Sequence, residues 1–178
     1  QRALRRRPAW AGADAVLISD SRMPDAGHPA LVYAQRGLLR CEVAFSRRGR
    51  SVHAGQFGGM AADPAVVLAR LVASLHDGRG RIALPGFYGA VRELDDAERH
   101  YVATTGPSDA DLVALARTGV GRGEAGYSLY ARTTARPSLT VTGMGVSGAD
   151  GAIPTRASAK LEFRLVPEQD PAHIASAV

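Results

Sequence analysis

The residues best placed to do chemistry surround His53, in the stretch Ser51-Val-His-Ala-Gly-Gln-Phe-Gly-Gly-Met-Ala-Ala-Asp-Pro64. Glycines at 55, 58 and 59 let the chain turn through backbone angles that other residues avoid, which leaves His53 at the end of a strand beside a tight loop. A functional side chain would sit in such a place, although a histidine merely hydrogen-bonded in a turn carries the same local pattern. Asp20 ends the apolar run Ala15-Val-Leu-Ile-Ser19 and reads, from the residues alone, as the start of a loop. Arg164 reads as an exposed strand arginine. Complete catalytic sets are absent from the sequence: there is no His and Glu pair in a His-Glu-x-x-His spacing, no Cys-x-x-Cys, no Gly-x-Ser-x-Gly and no phosphate loop. Arg79-Gly-Arg81 and Gly121-Arg-Gly123 are too short to argue for nucleotide binding. By itself this chain does not hold a complete known catalytic machine.

The elements that must position these residues are written in periodicity and caps. Asp63 can accept hydrogen bonds from the free N–H groups of a helix start, and Pro64 suits the first helical position, where its missing N–H has no partner to lose. A helix therefore begins at Pro64, carries Val67, Leu68, Leu71, Val72 and Leu75 at three- and four-residue spacing, and is expected to cap at Gly78. His76 would then sit in its last turn, favoured by the helix dipole. Before it, Leu39, Cys41, Val43 and Phe45 alternate with Arg40, Glu42, Ala44 and Ser46, which predicts a strand with one wet face running through the basic turn Arg47 to Arg50. A second strand is expected at Ser138 to Thr142, followed by a glycine-rich turn. The clearest strand sets Ala157, Ala159, Leu161, Phe163 and Leu165 against Arg156, Ser158, Lys160, Glu162 and Arg164. Asp170-Pro171 repeats the helix-start signal of Asp63-Pro64.

Between these lies a stretch of different character, residues 79–135, with a Leu84-Pro-Gly-Phe-Tyr88 turn and short polar helices near Asp95 to Ala103 and Asp109 to Arg117. We read it as an insertion. At the other end, Ser21 to Pro29 is a loop rich in turn residues, a boundary between an earlier domain and this one. The economical fold is α+β, an antiparallel sheet with helices on one face in a ferredoxin-like two-layer sandwich. The chain starts without methionine and ends inside an incipient helix, so a piece of a longer protein is expected, its final helix truncated.

Composition narrows the classes. With 178 residues, 46% hydrophobic and 22% charged, the chain can bury a core without disulfides, and disorder is not expected. Cys41 is the single cysteine and falls in an alternating apolar run, where it reads as a small buried hydrophobe; a reducing cytoplasm fits this. Net charge is +5, and Lys160 is the one lysine among 22 basic residues. The clusters Arg5 to Arg7 and Arg47, Arg48 and Arg50 could draw an anionic partner or simply be solvated loops. No apolar run approaches the roughly 18 residues of a membrane span.

Several stretches taken in order resemble one family. These are Ala13-Asp-Ala-Val-Leu-Ile-Ser-Asp20, Arg36-Gly37, Val52-His-Ala-Gly55 through Phe57-Gly-Gly59, Leu84-Pro-Gly-Phe-Tyr88, Arg136-Pro-Ser-Leu139, Ile153-Pro154 and Phe163-Arg-Leu-Val-Pro167. They are similar to successive signatures of the di-zinc peptidases that include carnosinases, aminoacylases and succinyl-diaminopimelate desuccinylases, most of all the carnosinase-type dipeptidase branch. The resemblance implies that residues 1–35 are the end of a catalytic zinc-binding domain with its linker, and residues 36–178 a lid and dimerisation domain. It implies two zinc ions in the full-length protein, a glutamate general base outside this chain, and a dipeptide or N-acyl amino acid substrate cut by metal-activated water. Asp20 would be a metal ligand, insufficient alone to hold zinc. His53 would reach across a homodimer into the partner's active site, contacting substrate and donating to the developing oxyanion. Arg164 would bind the substrate carboxylate with its planar fork of donors. One position departs from the carnosinase pattern, where a substrate-binding threonine precedes the Ile-Pro pair and this chain has Gly151. The fragment alone is expected to be inactive, with no metal of its own.

Two other readings remain from the sequence. A ferredoxin-like module binding RNA through its sheet would need aromatic residues on the exposed strand face, and the outward positions are Arg40, Glu42, Lys160, Glu162 and Arg164; neither nucleic acid nor membrane is expected as a partner. A relative that has lost its metals and survives as a dimeric scaffold is the other.

Overall fold

The computed structural model describes residues 14, 15, 32, 34–119 and 123–178. Asp20, His28, the loop Ser21 to Pro29 and nearly all of the apolar run 15–19 lie outside the described residues. Residues 34–178 form one compact unit.

Its frame is a three-stranded antiparallel sheet of β1 (Gly37–Ser46), β3 (Ser138–Ser147) and β5 (Arg156–Leu165), with β5 in the centre. A two-stranded ribbon pairs β2 (Val52–His53) with β4 (Ala152–Ile153). The alternation read in β1 and β5 sets the register: Leu39 faces Phe163, Cys41 faces Leu161 and Val43 faces Ala159. Their inward sides meet α2 (Pro64–Ser74) and α6 (Pro171–Ala177), placing Leu68, Leu75, Ile174, Leu161 and Phe163 in one core. Each fully buried Leu or Phe there contributes about 1.5–3 kcal/mol. Cys41 packs against this core, and burial pushes its thiol up. The fold is thus α+β, with an antiparallel sheet and helices on one face.

Both Asp-Pro helix starts hold. Asp63 accepts the Ala65 N–H at 2.8 Å and Asp170 accepts that of Ala172 at 2.9 Å. The helix end at Gly78 does not. α2 stops at Ser74, because Ala83 N–H donates to the Leu75 carbonyl and His76 bridges to Ile82. Gly78 instead lies within a turn organised by Asp77, whose carboxylate takes the N–H groups of Arg79 and Arg81 at 2.8 and 2.9 Å. His76 is accordingly not a residue of the last helical turn. A second difference is β3, which runs on through Gly143 and Gly145. A bulge between Val141 and Gly143 shifts the phase, so Leu139 and Val141 face the core before it, and Met144 and Val146 stand opposite Ala159 and Ala157 after it.

The stretch read as an insertion holds α3 (Asp96–Thr105), α4 (Asp109–Ala116) and α5 (Leu129–Thr134), the last not foreseen. It is anchored to the core near its start: Ile82 and Phe87 are buried, and the Phe87 ring lies 6.1 Å from that of Phe163. α3 and α4 each start with a reciprocal capping box, Asp95 with Glu98 and Ser108 with Asp111. Glu98 also takes a hydrogen bond from Arg92 at 2.8 Å. That bond first, and the Asp95 N–H second, hold its carboxyl at about 2 instead of 4.5. A carboxyl lowered by folding stabilises the fold above its unfolded pKa and loses that contribution as pH falls through the folded one. This cap should therefore weaken from about pH 4.5 down to about 2. Carbon-detected NMR titration should give a Glu98 midpoint near 2 that climbs towards 4.5 in Arg92→Ala; a midpoint unmoved by that substitution would contradict the assignment. No helix among the described residues is long and apolar enough to cross a membrane.

Candidate functional site

His53 ends β2 as expected, exposed, with Ala152 opposite it. It is also the N-cap of α1 (Ala54–Phe57), a single helical turn where the sequence reading had a glycine loop. The imidazole Nδ1 accepts the Gly55 N–H at 3.1 Å. The proton of a neutral ring then belongs on Nε2, which has no partner among the described residues and is free to donate outward.

The ribbon that carries His53 is pinned by a residue that the sequence reading left in a basic cluster. Arg47 donates from Nε to the Pro154 carbonyl at 3.0 Å, and from Nη2 to the carbonyls of Arg50 at 2.9 Å and Ile153 at 3.2 Å. Ser51 Oγ adds a bond to the Ile153 carbonyl at 3.0 Å, and the Ala54 N–H one to the Gly151 carbonyl at 2.9 Å. Arg47 is therefore a clamp rather than a solvated loop charge. Its fork of donors on carbonyls was the only available signal, and nothing in local sequence announces it. Gly151 has φ +74°, a conformation that a β-branched threonine avoids, so backbone strain rather than lack of space disfavours a threonine here.

Arg164 stands at the other end of the sheet, on the outward face of β5, level with Leu38 and Ser138. Its Nη2 donates to Glu162 Oε1 at 2.8 Å, and Arg40 Nε holds the other oxygen at 2.9 Å. The bond from Arg40 first, with Arg164 adding charge, keeps the Glu162 carboxyl below its usual range. Close by, Arg36 spends Nη1 on the carbonyls of Arg132 and Arg136 and on Ser138 Oγ. Burial, then the Arg164 charge, lowers the Arg36 guanidinium. Arg40 and Arg164 thus share one carboxylate, and Arg36 adds a further cation beside them.

His53 and Arg164 are not brought together. From Arg156, where β5 follows the ribbon that carries His53, to Arg164 is eight residues of extended chain, about 26 Å. A cleft of about 410 Å³ lies elsewhere again, lined by Arg79, Arg81, Glu93, Glu124 and Tyr127, and holds neither residue. Its wall is an ion network that sequence reasoning missed. Arg136 is buried and donates to both oxygens of buried Glu124, at 2.9 and 2.8 Å, and to Glu93 at 3.2 Å. Burial pulls the Arg136 guanidinium down, but Glu124 outweighs it and the net shift is upward. Among the described residues no three His, Cys, Asp or Glu side chains gather closely enough to hold a metal ion. What these residues offer chemically is hydrogen-bond donation, from the β2–β4 ribbon and from the far end of the three-stranded sheet.

The model of the peptidase dimerisation domain matches residues 33–178. Among curated proteins, the chain is 29% identical to the Cys-Gly metallodipeptidase DUG1 of Candida albicans over 159 residues, 87% of this chain and 33% of that protein. It is 26% identical to the Beta-Ala-His dipeptidase of Mus musculus over 166 residues, 91% of this chain and 34% of that one. The chain spans about a third of the length of these relatives. Among solved structures, an M20 family metallo-carboxypeptidase from Sulfolobus solfataricus superposes with a TM-score of 0.77 at 26% identity, over 99% of this chain and 47% of that one. Human carnosine dipeptidase 1 shares the fold, with a TM-score of 0.78 at 24% identity, over 99% of this chain and 38% of the other. With an antiparallel sheet covered on one face by helices and a family match that runs from residue 33 to the end, the chain belongs to the peptidase dimerisation domain family of the M20 peptidases.

Proposed function

We propose that this chain is the lid and dimerisation part of a zinc-dependent metallopeptidase that hydrolyses dipeptides or N-acyl amino acids as a homodimer. The observation that carries the reading is the separation of His53 and Arg164. One chain cannot lay both on a small substrate, because about 26 Å of β5 lies between them. A two-fold dimer solves this if each active site takes its arginine from one subunit and its histidine from the other. Arg164 would fix the substrate carboxylate, and His53 Nε2–H would donate to the carbonyl oxygen as negative charge grows on it. Asp20 would be this chain's ligand to a metal pair of two zinc ions held by the remainder of the protein, and Cys41 as a partly buried free thiol fits a cytoplasmic setting.

The free edge of β3 supports the dimeric part of the reading. Its ten residues, Ser138–Ser147, carry no charge and no proline, the usual protections of an exposed edge. Met144 and Val146, on its helix-facing side, are still 55% and 63% exposed, and with Ala65 and Leu68 they line an apolar hollow of about 200 Å³. Pairing two such edges across a two-fold axis would satisfy their backbone groups and cover these side chains.

The test is hydrolysis of a panel of dipeptides and N-acyl amino acids by the full-length protein, with and without a metal chelator. Chelator-sensitive hydrolysis restored by zinc is expected. Persistent inactivity with zinc supplied would reject the peptidase reading and leave a dimeric scaffold.

A further inference from the structure

We propose that Gly55 is a positioning residue for His53, holding the imidazole in the tautomer and orientation that present Nε2–H outward; this rests on the role proposed for His53 above. Two independent facts converge on it. The Gly55 N–H donates to Nδ1 at 3.1 Å, so the ring that keeps this bond is the one protonated on Nε2. The same residue must also lack a side chain: a Cβ at position 55 would stand 2.9 Å from His53 Cε1 and 3.1 Å from Nδ1. Contacts that short are not tolerated, so any other residue pushes the ring aside. Gly55 does not have a positive φ, so backbone freedom is not why it is needed here.

What must yield is the far end of a flexible, exposed side chain, and the fold beneath it is pinned separately by Arg47 and Ser51. Alanine also favours a helical turn more than glycine does. Gly55→Ala should therefore leave the fold intact and disturb only the ring. Once the ring swings, Nδ1 loses its fixed donor, both neutral tautomers become accessible, and the outward donor is present only part of the time. Misplacing a reacting group in this way costs between about ten- and a hundredfold in turnover.

The experiment uses the full-length protein labelled with ¹⁵N-histidine, beside Gly55→Ala and, as a control on the same turn, Gln56→Ala. In the wild type, ring ¹⁵N shifts should report a proton on Nε2 and an unprotonated Nδ1 for His53. Gly55→Ala should show mixed tautomers, kcat lowered between about ten- and a hundredfold with KM little changed, and an unaltered melting temperature; Gln56→Ala should match the wild type in all three. A wild-type His53 protonated on Nδ1, or a Gly55→Ala protein with wild-type tautomer and kcat, would overturn the proposal. If instead His53→Ala retains full turnover, the catalytic role of His53 fails, while the ¹⁵N readout still decides whether Gly55 sets its tautomer.

Discussion

A dimer that pairs a His53→Ala subunit with an Arg164→Ala subunit of the full-length protein should retain about half of wild-type kcat/KM, although each substitution alone nearly abolishes it. The expectation follows from the placement of Arg164 at the far end of β5 and of His53 on the β2–β4 ribbon. Removing His53 takes away a donor to a developing oxyanion, a loss of about 10²–10³ in kcat. Removing Arg164 takes away a charge-assisted anchor for the substrate carboxylate and should raise KM, because that interaction is already made in the ground state. In the mixed dimer, the site served by the intact Arg164 of one subunit receives the intact His53 of the other. The opposite site receives two alanines. One site of two survives. Were both residues to act on substrate bound by their own subunit, neither site would be complete and the mixed dimer would be as inactive as its parents. Differently tagged subunits, co-expressed and purified through both tags, give the species to assay. Activity no greater than that of the parents would reject the shared site, and an unchanged turnover in the His53→Ala homodimer would remove the residue from the mechanism altogether.

The parts of this arrangement that sequence makes visible are those encoded over a few neighbouring residues. The Asp-Pro starts at 63 and 170 state a helix boundary within two positions, and the alternation of β1 and β5 states a buried face within ten. His53 could be singled out because glycines and a strand end surround it. The end of α2 was hidden because it depends on Ala83 reaching back to Leu75, a contact that no cap signals. β3 looked short for a related reason: its bulge moves the inward set from Leu139 and Val141 to Met144 and Val146, and a strict alternation of two ends where that phase changes. The distance between His53 and Arg164 was beyond any local pattern. It depends on which strands pair, and only the register of β1, β5 and the β2–β4 ribbon sets the two residues apart.

Arg136 is the extreme case of a residue whose importance lies in distant partners, and its removal should be among the most destabilising changes at a charged residue of the domain. In a chain this rich in arginine it stands out by neither type nor spacing. Its guanidinium is 1% exposed, and its carboxylate partner Glu124 is 7% exposed, so neither has water to fall back on. The guanidinium lies 4.4 Å from the Tyr127 ring centre, and Tyr127 hydrogen-bonds Glu93, which pairs with the same arginine. Arg136→Ala would leave Glu124 buried with only Arg81, whose Nε is 3.7 Å away, to meet its charge. Breaking a buried pair from one side costs about 3–5 kcal/mol, and the nearby Arg81 places this case towards the lower end. Replacing both partners is a different matter, since an apolar pair of similar volume has no stranded charge; Arg136→Met with Glu124→Leu should recover most of the loss. Hydrogen exchange of the central β5 amides in the full-length protein measures the opening free energy of this unit directly. A cost below about 1 kcal/mol for Arg136→Ala, or a double variant no more stable than the single one, would mean that the network is tolerated by the fold without supporting it.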